Sequence, residues 1–263
     1  MPAPPSLPPS ETYFVQLFRL ILVSVEQLAG PPSQPNRSLA AQRLVRQATR
    51  LSASGAVLVI ILMIGVDATE IGLMPARGTR SLWPLRVLTD FGRDAYVISV
   101  LAVMLLAVAV VLPEARARAR AVLLRFGARI QYLLLAVAVP VLVATIVKWV
   151  VGRGRPFVGG KANPFNFDPF NGTEAYFSFP SAHAVTAFAL AFGVATIWPQ
   201  MRTAMAVYAV VIALTRLVLL AHHPSDVVAG AVIGILGAMA VRYWLAARRI
   251  GFSIGPGGEI TPR

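Results

Sequence analysis

The residues of this chain that can bind anions or move protons are concentrated in three short stretches. All three histidines, one of the two lysines and several arginines fall within them. An arginine can grip two phosphate oxygens with paired hydrogen bonds, and a lysine adds a point charge. Lys148, Arg155 and Arg216 therefore indicate a site for a phosphate-like anion. The three stretches are 148–156, 180–183 and 215–226.

The histidines and one aspartate add the groups that phosphoryl transfer needs. His222 and Asp226 are four residues apart, so one helical turn would bring them together. A carboxylate on one ring nitrogen fixes the tautomer and leaves the other nitrogen free to attack. His183, on another segment, would give a proton to a leaving oxygen. The pattern predicts an anion site, a nucleophile with its orienting group, and an acid, with no metal required.

A predicted helix start supplies a further anion-binding element. Ser181, Ala182 and His183 open an apolar segment, where free backbone N–H groups and the helix dipole favour negative charge. The chain has no cysteine, which excludes a thiolate nucleophile and Cys-based metal sites. The chemistry indicated is therefore carried by imidazole, carboxylate and basic groups.

Each of these features also has an ordinary structural interpretation when it is taken alone. Arg153, Arg155 and Lys161 would suit a basic loop beside lipid headgroups. His222 would suit a membrane interface, and His183 would suit a helix cap. The occurrence of all these features together favours the chemical interpretation.

At these residues the chain resembles the type 2 phosphatidic acid phosphatase superfamily of membrane lipid phosphatases. That family carries K-x6-R-P, then P-S-G-H, then S-R-x5-H-x3-D. This chain has Ala182 for the Gly of the second motif and Thr215 for the Ser of the third. Ala182 keeps the backbone N–H and Thr215 keeps a hydroxyl. The matching segments are Lys148 to Pro156, Pro180 to His183, and Thr215 to Asp226.

The resemblance implies a six-helix membrane core and a phosphohistidine mechanism. By this implication His222 attacks phosphorus, Asp226 steadies its ring, and His183 protonates the leaving oxygen before water releases phosphate. No metal or other cofactor is expected. The phosphoryl oxygens would be held by Lys148, Arg155, Ser181, the backbone at Ala182, and Arg216.

The composition places these motifs in a membrane protein. Apolar residues make up 57% of the 263 residues and charged residues 13%, about half the charge of an average soluble domain. This excludes a soluble or disordered chain, and it argues against a nucleic-acid partner despite the net charge of +13. Six apolar segments predict an all-α, polytopic bundle. They run roughly over 51–66, 95–112, 130–147, 183–198, 203–221 and 226–246.

Six spans would place both termini on one side of the membrane and all three motif stretches on the other. Most of the 24 basic residues fall in segments on the side of the termini, which predicts that this side is cytoplasmic. The spans are placed by hydropathy alone. The convergence of the motifs on one face therefore supports the topology independently.

The chain divides into three predicted parts. Residues 1–50 are a Pro-rich N-terminus with an amphipathic helix over 12–29, predicted to lie on the membrane surface, with a seventh span as the alternative. Residues 51–246 form the six-helix phosphatase domain, and residues 247–263 form a cytoplasmic tail predicted to be disordered. The aromatic loop 157–179 is predicted to lie over the site, with a plain interfacial anchor as the alternative.

Taken together, the sequence predicts an enzyme that hydrolyses a phosphomonoester or diphosphate of a lipid. The expected location is a bacterial inner membrane with the site facing the periplasm, and the expected partners are the bilayer and the lipid phosphate. The resemblance implies undecaprenyl diphosphate, lipid A, phosphatidylglycerol phosphate or phosphatidic acid as substrate. The alternatives are a lipid-to-lipid phosphotransferase, a lipid or anion transporter, and a vanadate haloperoxidase. The haloperoxidase is disfavoured because those relatives are soluble.

Overall fold

The computed structural model describes residues 13–76, 78–156, 158–159 and 163–263, and this part of the chain is predominantly helical. Two short strands follow the last helix, and three single 3₁₀ turns lie at 80–82, 174–176 and 199–201. The helices are α1 (Tyr13–Ala29), α2 (Arg37–Gly65), α3 (Asp67–Leu73), α4 (Trp83–Asp90), α5 (Asp94–Val111), α6 (Ala117–Val151), α7 (Ala182–Ile197), α8 (Arg202–Val218) and α9 (Pro224–Ala247). The strands are β1 (Phe252–Ile254) and β2 (Ile260–Pro262).

The structure has a helix at each of the six predicted apolar segments. Five segments of the described chain are long and apolar enough to cross a membrane, with α4 and α5 counted as one. The remaining helix, α7, is apolar but has only 16 residues. α2 begins at Arg37, well before the predicted segment, because the intervening Arg, Gln and Ala residues are good helix formers.

The outward surface of the bundle is apolar. Large side chains such as Ile64 on α2, Val103 on α5 and Leu142 on α6 are exposed, as expected of helices that face lipid rather than water. The core instead lies around α9, which packs against α2, α6 and α7. The chain is therefore built as a membrane protein with α9 at its centre.

Small residues allow α9 to approach its neighbours closely. A Cβ added at Gly230 would lie 2.5 Å from the carbonyl oxygen of Ser181, and one added at Gly234 would collide with the carbonyl oxygen of Val185. These two glycines therefore mark a close contact between α7 and α9. The contact fixes the start of α7 against the first turns of α9.

The C-terminal tail is ordered, and the prediction of disorder is wrong for it. β1 and β2 pair antiparallel, with Ile254 opposite Ile260 across a turn that contains Gly258 in the left-handed region. Phe252 is buried, with its ring edge-on to Tyr132 of α6 at 4.9 Å between centroids. The apolar side chains of this Gly-rich segment find a surface to pack on only after α6 and α9 have come together.

The amphipathic segment near the N-terminus forms α1, which is tethered at both ends. The Tyr13 hydroxyl donates to the carbonyl of Val110 at 2.9 Å, and Trp244 Nε1 donates to the carbonyl of Leu28 at 3.2 Å. Residue 12, with which the predicted helix began, and the Pro-rich first ten residues lie outside the described residues. That α1 lies on the membrane surface, with a seventh span as the alternative, stays a prediction.

Replacing Gly230 by alanine should destabilise the bundle. The added methyl must push the start of α7 away from α9, at a cost of about 1–3 kcal/mol in the free energy of unfolding. The matched control is Gly65→Ala on α2, where an added Cβ meets nothing within 4 Å. Thermal unfolding in mild detergent should show a lower midpoint for Gly230→Ala than for the control. Equal midpoints would contradict the close-packing account.

Candidate active site

Nearly all buried polar side chains of the described chain lie at one end of the bundle. This end is formed by the C-termini of α6 and α8, the N-termini of α7 and α9, and the short helices α3 and α4. The three motif stretches of the sequence meet at Asp226, whose carbonyl accepts from the Ser181 N–H at 3.0 Å and whose carboxylate accepts from Arg153 Nη1 at 2.6 Å. Buried ionisable groups are costly in an apolar bundle and usually mark function. The buried set comprises Asp67, Glu70, Thr89, Lys148, Arg153, Ser178, Ser181, Thr215, Arg216, His222, His223, Ser225 and Asp226.

Arg153 and Asp226 form the centre of this polar cluster. Both side chains are fully buried, and Arg153 Nη1 lies 2.6 Å from Asp226 Oδ1. The other guanidinium edge donates to the carbonyl of Pro164, and the ring of Phe167 lies 5.9 Å from Arg153 Cζ. A guanidinium tolerates such burial because its five donors can all be directed at fixed acceptors.

A second carboxylate completes the ion network. Asp67, the first residue of α3, accepts from Arg153 Nη2 at 2.8 Å and from the backbone N–H of Ser225 at 3.1 Å. The Ser225 hydroxyl accepts from Arg153 and donates to Asp67. One buried cation therefore bridges two buried carboxylates and joins α3, the loop after α6, and the start of α9.

His222 is oriented by a backbone carbonyl. Its Nδ1 lies 2.8 Å from the carbonyl oxygen of Ser178, which can only accept, so Nδ1 carries the proton. The lone pair is consequently on Nε2.

The predicted direct contact between His222 and Asp226 is not formed, because Nδ1 and Oδ2 are 3.9 Å apart. α9 begins at Pro224, so His222 lies outside the helix and the four-residue spacing does not close a turn. Asp226 instead accepts from the Ser178 hydroxyl at 2.6 Å and from the His223 N–H at 2.9 Å. The carboxylate therefore acts on the ring through Ser178.

The surroundings of His222 keep its ring neutral. Burial lowers the pKa of His222 well below its ordinary value, and the nearby positive charges of Lys148, Arg216 and Arg155 lower it further. A neutral imidazole with a free Nε2 is the form that can act as a nucleophile.

The three predicted phosphate-binding cations are held around His222 by different partners. Lys148 Nζ donates to the carbonyl of Phe177 at 2.9 Å, and Arg216 Nη1 donates to the hydroxyl of Thr89 at 2.9 Å. Arg155 pairs with the exposed carboxylate of Glu174 at 2.8 Å. The hydrogen bond from Lys148 leaves its positive charge at the site, because the Phe177 carbonyl that accepts it is neutral.

The start of α7 is placed as the sequence predicted, with Ser181 as the N-cap residue and Ala182 and His183 in the first turn. Ser181 is fully buried, and its hydroxyl has no hydrogen-bond partner among the described residues. The first N–H groups of a helix lack intrahelical acceptors. The Ser181 hydroxyl and these N–H groups together form a set of donors of the kind that binds anions.

The sequence analysis missed four residues that shape this site. Arg153 was interpreted as a basic loop residue, although it belongs to the first motif stretch. Asp67 carried one signal, an acid directly after the first predicted span on the same face as the motifs. Ser178 and Thr89 are common polar residues with no signal in the sequence. Their roles follow from positions that only the packed helices define.

The aromatic loop contributes its backbone to the site. Its residues 177 and 178 supply the carbonyls that receive Lys148 and His222, whereas Phe165 and Phe170 are exposed. Phe157 and Lys161 lie outside the described residues. Among the described residues, no group of three or more His, Asp or Glu is arranged to hold a metal ion.

Removing the charge of Arg153 should strongly destabilise the protein. Arg153→Gln leaves two buried carboxylates without their shared cation, which typically costs about 3–5 kcal/mol. The matched control is Arg80→Gln, an exposed arginine at the same end of the bundle, for which the change should stay within about 0.5 kcal/mol. Thermal unfolding in detergent compares the two. A midpoint for Arg153→Gln as high as that of the control would show that the ion network does not stabilise the fold.

A buried glutamate beside the network should make stability depend on pH. Glu70 is 5% exposed, and neither carboxylate oxygen has a hydrogen-bond partner among the described residues. Burial, with the negative charges of Asp67 and Asp226, raises the pKa of Glu70 from 4.5 to about 7. Because the folded pKa is raised, the stabilising effect of the bound proton is present below pH 4.5 and is lost as the pH rises to about 7.

Glu70→Gln tests this linkage because glutamine stays neutral at every pH. Relative to wild type, the variant should unfold at a higher temperature above about pH 7 and show a smaller advantage near pH 5. The test is to measure the unfolding midpoints of both proteins across this pH range. A difference between the two proteins that does not change with pH would contradict the assignment.

Comparison with known proteins places this chain in a family. The model of the PAP2 superfamily matches residues 129–250. A lipid A 1-phosphatase of Rhizobium johnstonii is 34% identical over 148 residues, which is 56% of this chain and 59% of that protein. A lipid A 1-phosphatase of Rhizobium etli is 32% identical over 176 residues, 65% of this chain and 75% of that protein. No solved structure matches the chain significantly. The chain belongs to the PAP2 superfamily.

Proposed function

We propose that this protein is a lipid phosphatase that hydrolyses a phosphomonoester or diphosphate through a phosphohistidine intermediate. The observation that carries the proposal is the setting of His222. Its Nδ1–H is committed to the Ser178 carbonyl, its pKa is lowered, and three cations surround it. This arrangement leaves Nε2 as a neutral nucleophile in a site that attracts a phosphate.

The reaction proceeds by two displacements at phosphorus. His222 Nε2 attacks, the bond from phosphorus to the lipid oxygen breaks, and His183 gives its proton to that oxygen. Water then attacks the phosphohistidine, His183 takes a proton from it, and phosphate leaves with His222 restored. Lys148, Arg155 and Arg216 stabilise the charge that the phosphoryl oxygens carry in each transition state.

The donors at the start of α7 complete the phosphate site. The Ser181 hydroxyl and the backbone N–H of Ala182 bind the oxygens that the cations do not reach. Asp226 acts as a positioning residue, because its hydrogen bond from Ser178 fixes the carbonyl that orients His222. The Arg153 network holds Asp226 in turn.

A groove beside the site suits the hydrocarbon part of a lipid. It has a volume of about 570 Å³ and lies between α4, α5 and α7, next to the Thr89 that binds Arg216. Its walls are almost entirely apolar, so an acyl chain can lie there while its phosphate reaches His222. The names of the two relatives favour the phosphates of lipid A among the lipid substrates expected from the sequence.

The proposed topology has six spans with the site at the periplasmic face of a bacterial inner membrane. In this topology α7 is the fourth span in chain order and the shortest of the six. Its 16 residues cover roughly 24 Å, and its packing between α6, α8 and α9 shields its ends from lipid. The arginine-rich opposite end faces the cytoplasm. α1 lies along that interface.

His222→Ala should abolish the release of phosphate while leaving the protein folded. The assay presents lipid A and phosphatidic acid in detergent, without an added acceptor, and compares wild type with the variant. Activity should fall by several orders of magnitude because no other described group can replace the nucleophile. An unchanged unfolding midpoint shows that the fold is retained.

Three outcomes would sort the alternatives. Turnover by His222→Ala that equals wild type would falsify the nucleophile assignment. Release of phosphate by wild type that requires an added lipid alcohol would identify a phosphotransferase. Loss of wild-type activity in a metal chelator would contradict the mechanism, which uses side chains and helix-end amides alone.

A further inference from the structure

A second large cavity lies at the end of the bundle opposite the active site. It has a volume of about 680 Å³ and is enclosed by α1, the first half of α6, the end of α7 and the C-terminal hairpin. From Arg125 at this cavity to Lys148 at the active site, α6 rises roughly 35 Å. The two sites are therefore separate.

The polar part of this cavity is strongly cationic. No acidic residue is among the residues that line it in the described chain. α6 contributes three arginines, and the chain after α9 contributes three more. They are Arg120, Arg125, Arg129, Arg248, Arg249 and Arg263.

Two of these arginines have donors that nothing in the described chain accepts. Nε of Arg129 and Nε of Arg248 are buried atoms without a hydrogen-bond partner among the described residues. Their guanidinium groups lie over the rings of Trp198 and Trp244, at 5.7 and 4.7 Å from the centroids. Buried donors of this kind usually have an acceptor, and an anionic group in the cavity would supply one.

The rest of the cavity wall is apolar and is partly made by α1. Leu20 and Val23 of α1 face Leu124 of α6 and Phe252 of β1 across it. α1 is tethered by hydrogen bonds at Tyr13 and Leu28, near its two ends, so the cavity lies under its middle. An occupant with an anionic head and hydrocarbon chains would fill the space between the helix and the bundle.

We propose that this cavity binds an anionic phospholipid, with the phosphodiester on the arginines and the acyl chains against the α1 wall. A free phosphate would leave the apolar wall uncovered, and a zwitterionic lipid would add a cation to a cluster that has six. Basic pockets between membrane helices bind anionic headgroups in this way. The bound lipid holds α1 against α6 and the hairpin.

The test measures retention of phosphatidylglycerol by the purified full-length protein with native mass spectrometry, using phosphatidylcholine for comparison. Phosphatidylglycerol is a phosphodiester, so the proposed phosphatase reaction does not consume it. The cavity variant Arg125→Gln/Arg249→Gln removes one cation from each wall. The matched control is Arg118→Gln/Arg202→Gln, which removes two exposed arginines from the same end of the bundle outside the cavity.

Wild type and the control should retain phosphatidylglycerol in preference to phosphatidylcholine. The cavity variant should bind it roughly 10- to 30-fold more weakly, because each basic residue contributes about 1 kcal/mol to anionic-lipid binding. Ala121→Trp should also weaken retention, since it fills the cavity and removes no charge. Unfolding midpoints without lipid verify that each variant is folded.

Equal weakening in the cavity and control variants would overturn the proposal, because general surface charge would then hold the lipid. Equal retention of phosphatidylcholine by wild type would overturn it as well. Undiminished binding by Ala121→Trp would place the lipid elsewhere. None of these measurements depends on turnover, so their results stand apart from those of the phosphatase assay.

Discussion

The active end of this protein depends on one buried cation held between two carboxylates. Arg153 is fully buried and bridges Asp67 and Asp226 at 2.8 and 2.6 Å. Such a charge is stable in an apolar bundle only while its partners stay in place, so the network rigidly joins α3, the loop after α6 and the start of α9. Burying these three charges costs free energy, but the network fixes the position of the loop that carries Ser178.

The position of the Ser178 loop decides which ring nitrogen of His222 carries the proton. Asp226 accepts a hydrogen bond from the Ser178 hydroxyl, the Ser178 carbonyl accepts one from Nδ1 of His222, and the lone pair of the ring is therefore on Nε2. The ion network around Arg153 is distinct from a second group of cations, Lys148, Arg155 and Arg216, which bind the phosphate in the proposed mechanism. The separation of the two groups has a physical use, because a carboxylate placed directly at the phosphate would repel it.

Both ends of the bundle carry clusters of cations. At the end that holds the three motif stretches, Lys148, Arg155 and Arg216 lie near His222. At the opposite end, arginines surround an apolar cavity beneath α1, and no Asp or Glu is among the described residues that line it. Between them the bundle presents an apolar surface, with α9 in the middle and the small residues of α9 setting its distance from α7.

The sequence alone determined the membrane character, the positions of the long helices and the convergence of three motif stretches at one face. Hydropathy and motif spacing are local properties of the sequence, so they can be interpreted without knowledge of how the helices pack. Only the tertiary structure decided that Asp226 acts through Ser178, that Arg153 is the buried centre, and that the tail after α9 forms a hairpin. Each of these depends on where a side chain points after distant helices have packed. The carbonyl of Ser178 binds His222 and its hydroxyl binds Asp226. The residues next to Ser178 in the sequence give no indication of these two contacts.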